Sequence, residues 1–205
     1  MLNAVITGDI AGSTLLQKAE ETKLYRDMAK IAGERPYAVY RGDSFQLYVK
    51  NAAEALQLAF LMRCAARRID RTGFNFDIRQ SIGIDQQASP VRDLSSAKGA
   101  PFLLSGRAFD AMTDKGPMLV ISSSKTLFNE MFALICSFAD DIFEVMTPKQ
   151  AEVITELLSG KTQQEVAKKL KKAQPTINRM AQAARWQRLQ ELLTKFDYFV
   201  KQLSL

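Results

Sequence analysis

Residues 147–185 read TPKQAEVITELLSGKTQQEVAKKLKKAQPTINRMAQAAR, and their punctuation decides how the whole chain is read. Thr147-Pro148-Lys149-Gln150 opens a helix. A hydroxyl at the N-cap, proline at the first helical position and glutamine three residues after the cap form a capping box. Val153, Ile154, Leu157 and Leu158 then fall on one stripe at helical spacing. Gly160 closes the helix, because glycine takes a left-handed C-terminal conformation without steric cost. Thr162-Gln163-Gln164-Glu165 is a second capping box and starts a short helix with Val166, Ala167 and Leu170 inward. Lys171-Lys172-Ala173 is the turn, and Pro175 pre-sets the backbone of a third helix.

In that third helix Ile177, Ala181 and Ala184 recur at core spacing, while Thr176, Asn178, Arg179 and Gln182 face out. Arg, Asn and Gln can bond base edges bidentately, and Thr can reach a base or a phosphate. Lys161, Lys168, Lys169, Lys171 and Lys172 surround the unit and suit phosphate neutralisation. The layout is that of a helix-turn-helix, with double-stranded DNA as the expected partner. The candidate contacts are Gln174, Thr176, Asn178, Arg179 and Gln182, with Lys171 and Lys172. A plain three-helix bundle with a solvated lysine face is the bland alternative. The stretch resembles the helix-turn-helix of LuxR-type regulators and of sigma-factor region 4. It departs from them where Lys171 or Lys172 replaces the usual turn glycine, which predicts a lysine at strained, positive φ.

The charge of the chain is unevenly placed. Residues 147–205 carry eleven Lys and Arg against five Asp and Glu, whereas residues 1–146 carry 17 of each. The whole excess of positive charge therefore sits on the proposed DNA-reading end, to which it would steer an anionic partner. There is no histidine, which excludes Ser-His-Asp and Cys-His catalysis and histidine metal ligation. Cys64 and Cys136 lie in apolar helical surroundings and read as buried thiols, as expected in a reducing cytoplasm. Neither a secretory leader nor a membrane span is expected.

The front of the chain alternates strands and helices. Ala4–Thr7 is a short apolar strand leading into Gly8-Asp9-Ile10-Ala11-Gly12-Ser13-Thr14. A helix is expected from about Thr14 to Ile31. Strands at 37–40 and 45–49 flank a tight hairpin, Arg41-Gly42-Asp43-Ser44. A helix follows over roughly 52–70, with Ala55, Leu56, Ala59, Phe60 and Met62 or Cys64 inward. Phe74, Phe76, Ile78, Ile82 and Ile84 then alternate with polar residues as a half-buried strand. Residues 86–98 read as loop, 100–113 as helix, 118–121 as strand and 124–138 as helix, with a turn at Asp140-Asp141. This order predicts an α+β, ferredoxin-like split βαβ arrangement, an antiparallel sheet with helices on one face. The expected division is residues 1–138, a linker at 139–146 and an all-α helix-turn-helix unit at 147–205.

Asp9 and Asp43 carry a second suggestion. In such a sheet the first strand lies beside the hairpin strands, so the two acids can approach each other, and paired carboxylates suit magnesium. Residues 1 to about 138 look like the catalytic domain of class III nucleotidyl cyclases. They look closer still to the SatD family, cyclase-like proteins with a C-terminal helix-turn-helix. The matching residues are Gly8-Asp9-Ile10-Ala11-Gly12-Ser13-Thr14, Gly42-Asp43-Ser44-Phe45 and Gly99 to Arg107. The resemblance implies Mg²⁺ held by Asp9, Asp43 and the Ile10 carbonyl. It also implies a nucleotide whose phosphates meet the amides of Ala11, Gly12, Ser13 and Thr14, with Arg107 at the transition state. The family's transition-state Asn is Leu103 here, and its base-recognising Lys is Val39. Loss of such a donor typically costs ~10²–10³ in rate, so the expectation is a non-catalytic sensor or dimerisation unit, with a nucleotide-processing enzyme as the alternative. Arg107 could equally pair with Asp110, and Arg41 beside Asp43 is similarly ambiguous.

Beyond Arg185 the third helix reads as continuing. Trp186, Leu189, Leu193, Phe196, Val200 and Leu203 form a heptad-like seam, broadened by Leu192 and Phe199. The seam either packs on its own chain or joins a homodimer, and the expectation is a homodimer reading two half-sites.

Overall fold

A computed structural model describes residues 1–40, 42–91 and 93–204, so Arg41, Arg92 and Leu205 lie outside the described residues. The chain is a mixed α/β structure. β1 (Asn3–Ala11), β2 (Tyr37–Val39), β3 (Phe45–Val49), β4 (Asp77–Asp85) and β5 (Leu119–Ser123) form one sheet in the order β2-β3-β1-β4-β5. α1 (Lys18–Ala32) connects β1 to β2, and α2 (Ala55–Arg67) connects β3 to β4. β1 pairs antiparallel with both β3 and β4. These two crossovers therefore interleave as the expected split βαβ pair.

Two features differ from the sequence expectation. First, β5 runs parallel to β4, so the sheet is mixed rather than antiparallel. A parallel neighbour requires a crossover, and α3 (Ala100–Asp110) supplies it. Second, α3 crosses the face opposite α2, so helices cover both faces. α3 packs on β4, β1 and β5. A Cβ at Gly83 on β4 would lie 2.2 Å from the Pro101 carbonyl and 2.4 Å from the Ser105 amide, which is why glycine stands there. Ser81 and Ser105 join the layers, Ser81 Oγ donating to the Ser105 carbonyl at 2.8 Å. β1 is buried on both faces. Ala4, Ile6 and Ile10 enter the main core, while Val5 meets Tyr48 and Leu94 on the α3 side.

α4 (Thr126–Glu144) is longer than expected, running through Asp140-Asp141 and into the proposed linker as far as Glu144. The reason is the partner set of Asp140. Its Oδ1 accepts from Arg63 Nη1, and its Oδ2 accepts from the Met118 and Leu119 amides at 2.9 and 3.3 Å. A carboxylate so satisfied has no need of a turn. Arg63 is fully buried, donates to both oxygens of Asp77 at 2.9 and 2.8 Å, and lies 4.3 Å from the Phe143 ring centroid. Arg67 adds a third bond to Asp77 at 3.0 Å. The outer edge of β5 is covered by α4 as well. Asn129 Oδ1 accepts the Ser123 amide at 2.7 Å, and the Ile121 amide faces the Cys136 thiol. Cys64 and Cys136 are free and buried; burial pushes the Cys64 thiol up to about 12.

The C-terminal helices are α5 (Pro148–Leu158), α6 (Gln163–Leu170), α7 (Gln174–Ala183) and α8 (Trp186–Leu203). Both capping boxes form, Thr147 with Gln150 and Thr162 with Glu165, each cap contributing on the order of 1 kcal/mol. Lys171 takes the left-handed conformation at φ 52, the strained lysine expected of this turn, and the Lys172 amide bonds back to the Ala167 carbonyl. Glu156, nearly buried, ties α5 to α6 through Lys161 at 2.7 Å and Lys169 at 2.6 Å. Those two lysines serve the fold before any phosphate.

The expected continuous third helix is interrupted. Ala184 ends α7, and Arg185, at φ 53, starts α8 in a new direction. The seam of α8 packs on its own chain: Leu189, Leu192, Phe196, Val200 and Leu203 are buried, with Phe196 5.6 Å from Phe132 of α4. It is therefore not open to a second copy. α5 packs on α2, and Gln57 Nε2 donates to the Leu158 carbonyl at 2.6 Å. Buried residues from both ends of the chain belong to one cluster.

Two predictions concern the buried ions. Arg63→Met removes the shared cation of Asp77 and Asp140 and should cost about 3–5 kcal/mol in urea unfolding; a loss below about 1 kcal/mol would contradict the pairing. Burial alone would raise the Asp77 carboxyl, but the Arg63 charge and hydrogen bonds, with Arg67, hold it below the ordinary carboxylate range. A depressed folded value contributes stability that is whole above the unfolded value near ~3.9 and is lost as pH falls. Acid titration of the urea midpoint should show this limb below about pH 4, flattened in Asp77→Asn.

Candidate functional site

The exit of β1 builds the first candidate region. Asp9, Ile10 and Ala11 are the last residues of β1, and Gly12 leaves the strand at φ 79. A Cβ there would meet the Phe74 ring at 2.4 Å, so the tight exit needs glycine in space as well as in φ. Ser13–Leu15 then form one turn of 3-10 helix. Asp9, Ile10, Ala11, Gly12, Ser13 and Thr14 line a cleft of about 390 Å³ together with Asp43 from the β2–β3 hairpin. The topology thus brings to one cleft two acids that lie 34 positions apart in sequence.

Arg79 of β4, opposite Asp9 in the strand register, also lines this cleft, as does Asp114. Its guanidinium engages both oxygens of Asp9, Nε to Oδ1 at 3.2 Å and Nη2 to Oδ2 at 2.6 Å. Nη1 donates to Asp114 at 2.8 Å. The bonds from Asp9 and Asp114 raise Arg79 above the usual guanidinium value. The cation neutralising Asp9 is therefore a side chain of this chain. That arrangement does not fit magnesium, which would need the oxygens Arg79 holds, and among the described residues no three His, Cys, Asp or Glu side chains group as metal ligands. Arg107 is exposed on α3 and outside the lining of the cleft, one turn after the exposed Leu103. Among the described residues no carboxylate lies within ion-pair reach of Arg107, so the Asp110 pairing does not form. Val39 is exposed at the end of β2. Arg41 lies outside the described residues. Arg79 was hidden in the sequence as one polar position of an alternating strand; its signal was its register opposite Asp9.

The second candidate region is the outer surface of α7. Ile177 and Ala181 are buried, and Ala184 behind them, which turns the rest of the helix to solvent. Gln174, Asn178, Arg179 and Gln182 are exposed and Thr176 is half-buried; in the turn Lys171 is exposed and Lys172 half-buried. Asn178 and Gln182 open onto a groove of about 340 Å³ with Gln163 at the start of α6 and Arg185 and Trp186 at the start of α8. These last three were not singled out in the sequence as site residues. The α7–α8 break places two of them there. The arrangement is a ridge of carboxamides and a guanidinium, flanked by cations and unoccupied by the protein's own hydrogen bonds among the described residues.

No family model matches this chain, and no curated protein matches it. Among solved structures, the chain is similar to the active GGEEF domain of a diguanylate cyclase from Vibrio cholerae, with 13% identity and a TM-score of 0.43, covering 61% of this chain and 84% of that one.

If Asp9 and Arg79 neutralise each other as described, their removal is not additive. Asp9→Ala and Arg79→Ala, singly and combined, should give a coupling of about 0.5–3 kcal/mol in thermal or urea unfolding. Additive losses would mean that the pair contributes nothing.

Proposed function

We propose that this chain is a regulator that binds double-stranded DNA through α6, the Lys171–Ala173 turn and α7, with its cyclase-like front half as a non-catalytic sensor. The carrying observation is the division of α7: its small and branched residues are buried while Gln174, Asn178, Arg179 and Gln182 stand in solvent. A helix so divided can lie in a major groove. Arg179 would then bond a guanine edge through two donors, and Asn178 and Gln182 would bond adenine edges. Thr176, Lys171 and Lys172 would hold phosphates and fix the register. The positive excess at this end supports the same reading. The pairing of a cyclase-like front with a helix-turn-helix is that of the SatD family, which the chain resembles.

A second reading concerns the front half. Asp9, Asp43 and residues 11–14 share one cleft, which favours a small ligand there, with a nucleotide the class the resemblance implies. The cation facing it is Arg79. Leu103 stands where the resemblance implies a transition-state donor, so the cleft would bind such a ligand without turning it over.

The test is fluorescence anisotropy on fragments enriched from a genomic library. Arg179→Ala should weaken the enriched fragment by about 1–3 kcal/mol and relax its sequence preference. Lys171→Gln should weaken all fragments alike and lower the salt slope by about one. Binding that both substitutions leave unchanged would sink the DNA reading.

A further inference from the structure

The outward face of α4 is apolar where a solvated helix would be polar. Leu127, Leu134, Phe138 and Val145, just past its end, recur at spacings of seven, four and seven and are 61%, 64%, 54% and 64% exposed. The opposite side of α4, with Phe132, Ile135 and Ala139, is already in the core. A helix apolar nearly all round belongs in a buried setting. α4 also contains no Lys or Arg, and its exposed acids include Asp141 and Glu144 in the last turn. Negative charge there opposes the helix dipole, and among the described residues neither acid has an ion-pair partner.

Beside this ridge runs a groove of about 770 Å³ between α4 and α8. Phe138, Ile142 and Leu192 give it an apolar lining, and its rim carries Arg185 and Lys195 together with an Arg188–Glu191 pair, so its excess charge is positive. An acidic, apolar ridge and a basic, apolar groove are thus adjacent on one surface of one chain.

We propose that two copies of the chain pair through this face, α4 of each lying in the α4–α8 groove of the other about a twofold axis near Phe138. Twofold pairing presents the same patch from both partners, which is what a neighbouring ridge and groove provide. Asp141 and Glu144 meet the basic rim across the contact, and Leu134, Phe138 and Val145 leave water. A second copy fits better than a foreign protein because each feature finds its complement on the same chain. Two other routes to self-association are closed: the α8 seam is buried on its own α4, and amides along the β5 edge are held by Asn129 and Asp140 of α4. The pairing does not depend on DNA binding.

Sedimentation velocity on the full chain over a wide concentration range tests it. The wild type should reach twice the monomer mass. Phe138→Glu should weaken the dimer on the order of thirtyfold, as expected for a central apolar contact, with far-UV circular dichroism unchanged because the side chain is exposed. Asp141→Lys should weaken it roughly tenfold, and adding Lys195→Glu should restore it, since rejoined opposite charges recover pairing where two unrelated lesions would not. A wild type that stays monomeric, including one whose ridge proves to bind a different protein, overturns the proposal. A dimer indifferent to both Phe138→Glu and Asp141→Lys overturns it too, by placing the contact elsewhere.

Discussion

One guanidinium holds the molecule together. Arg63, with no exposed surface, bonds Asp77 at the start of β4 and Asp140 in α4. Asp140 in turn holds the amides at the start of β5, so four elements, α2, β4, α4 and β5, share one charge centre. Taking these ions out of water costs several kcal/mol each, and only near-complete hydrogen bonding offsets that. The arrangement therefore contributes geometry more than net stability. It anchors the end of α4, and only three residues separate that end from α5, the first of the C-terminal helices. The orientation of the C-terminal helices on α2 follows from this fixed point as much as from their own apolar faces.

The parts of the fold that were legible in the sequence are those set by local chemistry. Thr147, Thr162, Gly160 and Pro175 act within one helical turn, so α5, α6 and α7 could be placed almost to the residue. The left-handed lysine was readable only to within two positions, Lys171 or Lys172, and the structure places it at Lys171. The misreadings all depend on distant partners. Asp140-Asp141 reads as a turn until Arg63, 77 positions away, is seen to hold Asp140 inside a helix. The break at Arg185 carries neither glycine nor proline; beyond it α8 runs so that Phe196 meets Phe132 of α4. Arg63 and Arg67 did leave a signal. They continue the spacing of Leu56, Ala59 and Phe60 and so stand on the apolar face of α2, where an unpaired charge could not remain.

The same contrast runs through the candidate sites. Glycine and aspartate at the exit of β1 pointed to a loop able to approach a ligand closely, and that loop lines a cleft that Asp43 shares. That Arg79 would occupy Asp9 could not be read without the strand register. An acid neutralised from within is a different object from a metal ligand, although the two are identical as letters. On α7 the outcome was the reverse. Exposure of a short amphipathic helix follows from its period alone, so its outward residues were nameable in advance, whereas Gln163, Arg185 and Trp186 entered only through the packing of neighbouring helices.

The covering of β5 by α4 has a consequence for the chain's behaviour at high concentration. A strand such as Leu119–Ser123, uncharged and free of proline, is the kind that recruits copies of itself into fibrils when its amides are bare. Here Asn129 and Asp140, two side chains of one helix, hold donors at both ends of that row. As long as α4 stays docked, the sheet is closed at its fifth strand, and amyloid-type growth from that edge is confined to moments when the helix lifts away.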